Sequence, residues 1–499
     1  MSLKRPPGRL DLRRSLIVAT SLAAVAVLGV AGVVVVRTLT FRPPTAAPIA
    51  VAAPTPVDAD AAAQHLGQAV RIQTISHDDP AQDQPQAWDD LHDWLKRTYP
   101  GAHRVMALDP VGQGVIYTWT GSDPHLPPIV LMAHQDVVPV DPQTADRWRY
   151  PAFSGQLAEG AVWGRGSIDD KGSLIALMEA VEGLARRGFQ PRRTILIVSG
   201  PHEERGEQAG IQAIVARLQA RGVHAQFVLD EGMVVIADHP LTHGAVAMIG
   251  TAEKGYANLN VSAQGGGGHS SAPPSRTAVG ELTRAVQAIL AASAPMRFAG
   301  PAATGMQTLA PRSAFVTRMA LANPWLFRPV LIKAISASPP GAAMLHTTLA
   351  PTMLQGSPKA NVLPELATAR INVRIAPGDS SAAVLARARA ALRGIDARVD
   401  ISDVQEPTGV ASTTSLAWRE IASTATAVTG APASPTLVIA ATDSRALQPV
   451  ASDIYRFQPI TLRSKDVEMI HGVNEHLVVT DLARMIDFYT RLIRLSAGA

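Results

Sequence analysis

Seven side chains of the types that bind metal ions or move protons are spread along this chain of 499 residues. They are His134, Asp136, Asp169, Glu203, Glu204, Asp230 and His471. Two imidazoles and three carboxylates are enough to hold two divalent cations about 3.5–4 Å apart, with one carboxylate shared between them. Such oxygen and nitrogen ligands suit Zn²⁺, with Mn²⁺ or Co²⁺ as alternatives. The residue types therefore predict a two-metal site.

Each of these motifs is weak when it is taken alone. A pair such as His134 and Asp136 is more often a surface pair, and adjacent glutamates such as Glu203 and Glu204 usually face solvent on a helix. A lone histidine such as His471 is more often structural than a ligand. A shared site therefore requires elements of the fold that bring these residues together.

Short apolar runs precede three of the motifs. Residues 129–133 lead into His134, residues 194–199 lead into the two glutamates, and residues 227–229 lead into Asp230. Such runs are typical of buried strands, and ligands in open α/β sheets collect at the carboxyl ends of parallel strands. The spacing thus predicts that these side chains meet at one edge of a sheet.

The elements beyond these strands indicate an α/β domain with a mostly parallel central sheet. Helical patterns over residues 173–187 and 209–221 alternate with the strands, as in a parallel sheet covered by helices. Past Gly250, alternating strands and two helices indicate a small α+β insertion with an antiparallel sheet. Apolar strand signals return at residues 436–439, so we expect the insertion to divide the catalytic fold.

The N-terminus joins a basic segment to an apolar run over residues 16–36. The basic residues that precede this run are Lys4, Arg5, Arg9, Arg13 and Arg14. The run is long enough to span a bilayer, which takes roughly 20 residues, and the basic flank is expected to stay in the cytoplasm. We predict a membrane anchor with the catalytic body outside the cytoplasm, in the periplasm, the lumen or the extracellular space. Cleavage near residues 46–53 is the alternative.

Composition narrows the class of protein. The net charge is +4, and no Lys/Arg cluster interleaved with aromatic residues follows the N-terminal segment, so we expect no nucleic-acid partner. The chain has no cysteine, so any metal has nitrogen and oxygen ligands only. Absence of thiols is compatible with an oxidising compartment.

The motifs, in this order, resemble those of the co-catalytic metallopeptidases that include aminoacylase, glutamate carboxypeptidase and succinyl-diaminopimelate desuccinylase. Within that family the chain is most similar to the branch of carboxypeptidase S and N-fatty-acyl-amino-acid synthase/hydrolase. The resemblance covers roughly residues 60 to 495. The motifs that carry it are HQDVVP, WGRGSIDDKGS, PHEERG, DEG, GGGGHSSAP, ANVLPE, ATDSR and IHGVNE.

The resemblance implies a role for each candidate residue. Asp169 would bridge two metal ions, most simply Zn²⁺, and the terminal ligands would be His134, Glu204, Asp230 and His471. Asp136 would orient His134, and Glu203 would be the general base. A cis peptide bond is implied between Asp169 and Asp170.

The resemblance also implies a phosphorylase/hydrolase-like catalytic domain interrupted by a ferredoxin-like lid and dimerisation domain. In that inserted domain, His269 would stabilise the oxyanion, often from the other subunit of a homodimer. Asn361 and Arg374 would hold the substrate's amide and carboxylate. The predicted units are a basic segment (1–14), a transmembrane anchor (15–37), a Pro/Ala-rich linker (38–57), the catalytic domain (58–251 and 405–499) and the inserted domain (252–404).

A long apolar stretch over residues 293–360 departs from the simpler lids of the family. We hypothesise that it walls an apolar substrate channel or touches the membrane, the alternative being an ordinary amphipathic helix pair packed on the lid.

The resemblance implies an amidohydrolase or metallopeptidase that cuts short peptides next to a free C-terminal carboxylate. The alternative within the enzyme class is hydrolysis or synthesis of N-acyl amino acids, including N-fatty-acyl ones. The alternative from another class is a non-catalytic ectodomain that binds peptides.

Overall fold

The structure is a computed structural model that describes residues 9–206 and 209–498. Lys4 and Arg5 of the basic segment lie outside the described residues. The helices are α1 (Arg9–Leu39), α2 (Ala59–Arg71), α3 (Gln86–Thr98), α4 (Pro100–Val105), α5 (Lys171–Arg186), α6 (Ala209–Ala220), α7 (Ala278–Ala291), α8 (Gly300–Leu309), α9 (Phe315–Ala322), α10 (Pro324–Ile335), α11 (Pro339–Ala343), α12 (Ser381–Ala391), α13 (Leu416–Thr429) and α14 (Val479–Ala497). The strands are β1 (Ala107–Val111), β2 (Gly114–Trp119), β3 (Ile129–Met132), β4 (Gln156–Ala158), β5 (Ala161–Trp163), β6 (Ile195–Ser199), β7 (Phe227–Asp230), β8 (Val235–His239), β9 (Gly244–Glu253), β10 (Gly255–Gln264), β11 (Gly268–His269), β12 (Thr348–Gln355), β13 (Val362–Leu363), β14 (Leu366–Ile375), β15 (Arg398–Gln405), β16 (Ala433–Val438), β17 (Ile454–Arg456), β18 (Thr461–Leu462) and β19 (His476–Val478).

The large sheet is mixed rather than mostly parallel. Its order is β1-β2-β6-β3-β7-β17-β9-β8-β18, with β16 paired to β9. The central strands β6, β3, β7 and β17 are parallel, whereas β1 with β2 and β8 with β9 are antiparallel pairs. Parallel pairs recur outside the centre, between β16 and β9 and between β18 and β8, but antiparallel pairs are interspersed with them, so the prediction of a mostly parallel sheet holds only in part.

Strand alternation divides the core of this sheet into two layers. Ile129 and Leu131 of β3 point to the layer shared with α2, α5 and α14, whereas Val130 and Met132 point to the layer shared with α6. All four side chains are buried. Helices thus cover both faces, which leaves the carboxyl ends of the parallel strands free for polar residues.

The second sheet has four antiparallel strands in the order β12-β14-β10-β15. The helices α7 and α12 pack on it around a separate apolar core. Both helices begin at hydroxyl caps, since Thr277 accepts from the backbone N–H of Gly280 and Ser380 from that of Ala383.

The N-terminal helix contains an apolar segment, Leu16–Leu39, that is long and apolar enough to cross a membrane. The segment after it has no helix or strand up to α2, and it lies along the body. The backbone N–H of Ala46 donates to the carbonyl of Thr413 (2.9 Å), and that of Ile49 donates to Ser423 Oγ (2.9 Å).

Candidate metal centre

Loops at the carboxyl ends of three neighbouring parallel strands supply most of the site. His134 lies just beyond β3, and Glu231 directly follows β7. Glu203 and Glu204 lie in a short 3₁₀ turn, Glu203–Arg205, after β6. Asp169 immediately precedes the first turns of α5. The parallel centre of the sheet therefore brings together residues that are far apart in the sequence.

Asp169 is the centre of this cluster. Its Oδ1 lies 2.8 Å from His134 Nε2, and its Oδ2 lies 3.0 Å from His471 Nε2. The same nitrogen of His471 lies 3.0 Å from Glu204 Oε2. The two oxygens of one carboxylate thus face two different imidazoles, as a bridging ligand requires.

Two groups of three ligand atoms meet at Asp169. Among the described residues, His134, Asp169 and Glu231 form one group, and Asp169, Glu204 and His471 form the other. Within each group all the ligand atoms lie within 4.8 Å of one another. Each group could hold one cation.

Asp230 does not join either group. It is the last residue of β7 and pairs with Arg456 of β17, so it follows strand alternation and lies on the side of Val228. Its Oδ2 accepts the backbone N–H of Ser444 (3.1 Å). The structure therefore groups Glu231 with His134 and Asp169, whereas the ligand role that the resemblance implies for Asp230 stays a prediction.

Asp136 connects the first imidazole to the two glutamates. Its fully buried carboxylate accepts the backbone N–H groups of Glu203 and Glu204, both at 3.1 Å. Its Oδ1 lies 3.4 Å from His134 Nδ1, and its own carbonyl lies closer, at 3.1 Å. Asp136 thus fixes the glutamate turn and contacts the non-ligating side of His134, an arrangement that sets the orientation of a metal-ligating imidazole.

The donor set fits divalent cations. Glu204 Oε1 is buried and has no hydrogen-bond partner among the described residues. Burial, with Asp169 close by, raises the pKa of Glu204 to about 7 and also raises the pKa of Glu231 well above its ordinary value. Negative charge is thus crowded and poorly solvated, and bound cations would relieve both conditions.

Glu203 has the environment of a proton carrier. Burial raises its pKa well above the ordinary value for a glutamate, and Glu204 and Asp443 add to the effect. Its side chain lines a cleft of about 960 Å³ together with His471. A carboxylate with a raised pKa beside a metal pair is suited to accept a proton and return it.

Arg374 faces the same cleft from the second sheet. It is half-buried, lies near the end of β14, and its guanidinium carbon lies 5.0 Å from the centre of the Tyr256 ring. Within residues 9–206 and 209–498 it has no carboxylate partner. Its cation is therefore available to an anionic group in the cleft.

His269 and Asn361 lie apart from this cluster. His269 ends β11, Asn361 directly precedes β13, and the backbone N–H of Ser270 donates to the carbonyl of Asn361 (3.2 Å). Both side chains are exposed, and neither lines the cleft that holds Glu203. The single chain thus brings Arg374 to the cleft, but not His269 or Asn361.

A buried ion pair that the sequence did not reveal holds two of the loops together. Arg165 Nη1 donates to Glu475 Oε2 (2.6 Å), and Arg165 Nη2 donates to the carbonyls of His471 (2.8 Å) and Gly472 (3.1 Å). Glu475 Oε1 accepts the backbone N–H of Asp169 (3.2 Å). Both residues lie inside quoted motifs, but their pairing depends on the fold.

Asp170 holds the backbone of His134 by a hydrogen bond. The peptide bond between Asp169 and Asp170 is cis, as the resemblance implies. Asp170 Oδ2 accepts the backbone N–H of His134 (3.3 Å), and Oδ1 accepts from Gln458 Nε2 (2.7 Å).

Comparison with known proteins identifies the family. A family model described as Peptidase family M20/M25/M40 matches residues 130–495. The chain belongs to this family. The M20 assignment confirms the resemblance read from the motifs, and it makes the chain a hydrolase of a metal-dependent family.

Curated M20 relatives cover most of the chain. The chain is 36% identical to the N-fatty-acyl-amino acid synthase/hydrolase of Homo sapiens, over 76% of this chain and 76% of the relative. It is 33% identical to a probable carboxypeptidase S-like protein of Dictyostelium discoideum, over 87% of this chain and 84% of the relative. It is 36% identical to carboxypeptidase S of Saccharomyces cerevisiae, over 65% of this chain and 59% of the relative.

Solved structures show the same fold. An M20 family metallo-carboxypeptidase of Sulfolobus solfataricus superposes with a TM-score of 0.65 at 16% identity, covering 87% of this chain and 98% of that one. Human carnosine dipeptidase 1 superposes with a TM-score of 0.59 at 14% identity, covering 88% and 97%. At these identities the likeness establishes the fold alone.

Proposed function

We propose that this chain is a membrane-anchored two-metal amidohydrolase that cuts the amide bond next to a free carboxylate, as a carboxypeptidase does. One observation carries the proposal: an M20 chain in which two groups of ligand atoms share the carboxylate of Asp169. Glu204 and His471 would hold one ion. His134 would hold the other together with Asp230, as the resemblance implies, or with Glu231, which the structure groups with it. The ligand types favour Zn²⁺.

Two such ions, when bound, would supply polarisation of an amide carbonyl and a lower pKa for a water molecule. Glu203 then accepts the proton of the attacking water and returns it to the leaving amine, a role supported by its raised pKa and its place in the cleft. Asp136 fixes the positions of His134 and Glu203 relative to each other, because its carboxylate contacts the imidazole of His134 and accepts the backbone N–H of Glu203. Arg374 binds the carboxylate of the substrate and so sets the position of the scissile bond.

The oxyanion role of His269 and the amide contact of Asn361 require a second subunit or a movement of the second sheet. Support comes from their neighbouring positions at the small sheet of β11 and β13, where His269 ends β11, Asn361 directly precedes β13, and both side chains are exposed. We propose a homodimer in which the partner's small sheet completes the cleft, with the oxyanion stabilised by a donor in place before reaction.

A second candidate function is hydrolysis or synthesis of N-acyl amino acids with long acyl groups. The observation that favours it is the apolar helical unit of α8 to α11, which leaves Trp325 and Phe315 about half exposed. A curated relative is named for N-fatty-acyl-amino acid chemistry. Both candidates use the same metal pair, base and carboxylate contact, and they differ only in the group on the other side of the amide.

The test is turnover of matched substrates by the full-length protein in lipid nanodiscs, loaded with Zn²⁺. A dipeptide such as Gly-Leu and an N-oleoyl amino acid should each be compared with its C-terminal amide, which lacks the free carboxylate. We expect metal-dependent cleavage that strongly prefers the free carboxylate, and the better of the two substrates decides between the candidates. Absence of turnover on every substrate, with two metals bound, would contradict the proposal.

Arg374→Met tests the carboxylate contact in the same assay. Hydrogen bonds to charged groups contribute about 1.5–3 kcal/mol, so the preference for the free carboxylate should fall roughly 10- to 100-fold. Arg370→Met is the matched control, since Arg370 is an exposed arginine on the same strand. Equal effects of the two substitutions would remove Arg374 from the substrate site.

A further inference from the structure

The helical unit formed by α8, α9, α10 and α11 has an apolar face that no part of the described chain covers. On α10 the exposed apolar side chains are Trp325 (52%), Leu326 (42%) and Val330 (60%). Leu326 and Val330 are four residues apart and so lie on the same side of the helix, while Leu331 is buried in the unit's own small core. On α9, Phe315 (53%) and Val316 (70%) are also exposed.

This unit is attached directly to the end of the apolar N-terminal helix. Asn323, which is fully buried, donates from Nδ2 to the carbonyl of Val34 (3.3 Å) and to Thr38 Oγ1 (3.2 Å). Phe41, just beyond α1, packs on the unit's core. The attachment fixes where the apolar face lies along α1.

The position of that attachment coincides with the expected membrane boundary. From Leu16 to Val33 every side chain of α1 is exposed, and Val34 is the first buried one in this part of the chain. A helix from Leu16 to Val33 is about 27 Å long at 1.5 Å per residue, close to the roughly 30 Å of a bilayer's hydrocarbon core. Asn323 and the neighbouring helices therefore lie at the far end of the membrane span.

The charge of this stretch suits a lipid surface. Residues 282–364 contain no Asp or Glu, whereas Arg312, Arg328 and Lys333 are exposed on or beside the unit. Exposed aromatic and aliphatic side chains flanked by basic ones are typical of helices that lie in the membrane interface. Phosphate groups of lipids would pair with these cations.

We infer that α9 and α10 rest in the outer leaflet of the bilayer that α1 spans, so that the chain holds its membrane through two contacts. This inference rests on the proposed membrane anchor and adds a fixed orientation of the catalytic body. The segment between α1 and α2 supports it. The backbone hydrogen bonds of Ala46 and Ile49 to the body restrict how far the fold can move relative to α1.

The chain has no cysteine, so single-cysteine variants can be labelled at one chosen point each. The experiment places a polarity-sensitive fluorophore at Trp325→Cys or Val330→Cys in the full chain, reconstituted in nanodiscs at one molecule per disc. Lipids with a spin-label quencher high on the acyl chain report contact with the leaflet. Leu28→Cys, within the span, is the positive control.

Leu108→Cys is the matched negative control, since Leu108 is an exposed leucine (41%) on β1. That strand lies six positions from β9 in the sheet, about 29 Å away at 4.8 Å per strand. We expect blue-shifted emission and quenching at 325 and 330, as at 28, and neither at 108. Labels at 325 and 330 that behave like 108 while 28 is quenched would overturn the inference and leave the anchor intact.

Two further outcomes also overturn it. Blue-shifted emission at 325 and 330 without quenching by lipid would mean that protein, not lipid, covers the face. Absence of quenching at 28 as well would overturn both the inference and the proposed membrane anchor, without bearing on the hydrolase activity.

Discussion

Two adjacent carboxylates at the end of β7 have different surroundings. Asp230 still pairs within the sheet, and its carboxylate accepts the backbone N–H of Ser444. Glu231 is the first residue past the strand, and it meets His134 and Asp169. Strand alternation thus turns the two side chains to opposite sides of the strand, which makes Glu231 an alternative to Asp230 as a ligand.

Removing each carboxylate in turn tests this distinction. Glu231→Gln should reduce bound metal from two ions to one and lower kcat/KM by more than about 100-fold, since even partners outside the ligand shell cost 10- to 100-fold. Asp230→Asn should keep both ions, because in the wild type the carboxylate of Asp230 accepts the backbone N–H of Ser444. Metal content by mass spectrometry and steady-state kinetics measure both. Loss of a metal in Asp230→Asn alone would restore Asp230 as the ligand.

Much of the candidate site could be predicted from the residues alone, because each apolar run ends at a ligand-type side chain. His134 and Glu204 follow runs that the structure confirms as β3 and β6. Glu231 could not be distinguished from Asp230, because the run before them does not show where the strand ends. Alternation from the buried Phe227 and Leu229 is the signal that could have found Glu231.

At the scale of elements, the site depends on loops from distant parts of the chain. The loop before α5 carries Asp169, and the loop before β19 carries His471. Arg165 and Glu475 join them through a buried ion pair with backbone hydrogen bonds on both sides. His471 also has φ = 62°, in the left-handed region that non-glycine residues seldom occupy, so the loop needs such support.

Glu475→Gln should weaken both the fold and the metal site. Removing one partner of a buried ion pair costs about 3–5 kcal/mol, and displaced loops should lower metal affinity by roughly 10- to 100-fold. Urea unfolding and metal titration measure the two effects. Arg192→Gln is the control, because Arg192 pairs with Asp123 at 3.5 Å on the surface, where such pairs contribute about 1 kcal/mol or less. Equal losses in both variants would contradict the proposed role.

The elements were predicted unevenly, for physical reasons. The helical patterns over residues 173–187 and 209–221 correspond closely to α5 and α6. The sheet was taken as mostly parallel because the apolar runs of its centre dominate the pattern. The flanking pairs β1–β2 and β8–β9 contain polar residues and depend on neighbouring strands for their place.

In the whole molecule, the proposed metal site would join the part of the chain before the second sheet, which carries His134, Asp169 and Glu204, to the part after it, which carries His471. Chelation of metal from the wild-type chain should lower its thermal midpoint, because crowded carboxylates then lack counter-charge. Ligands at 1,000 times their Kd stabilise by about 4 kcal/mol. Scanning calorimetry with and without chelator measures the shift, and Zn²⁺ should reverse it. The variant Glu204→Gln with His471→Gln should show a smaller shift, and an unchanged midpoint in the wild type would argue against a resident metal.

The substitution Glu203→Gln separates proton transfer from metal binding. Glutamine keeps the size of the side chain and the buried position but cannot accept the proton. We predict that the full-length variant binds two metal ions and melts near the wild-type temperature. Its kcat for amide hydrolysis should fall about 10²- to 10⁴-fold, the contribution typical of general acid–base groups. Retained turnover in a variant with both metals bound would contradict the assignment of Glu203 and, with it, the proposed mechanism.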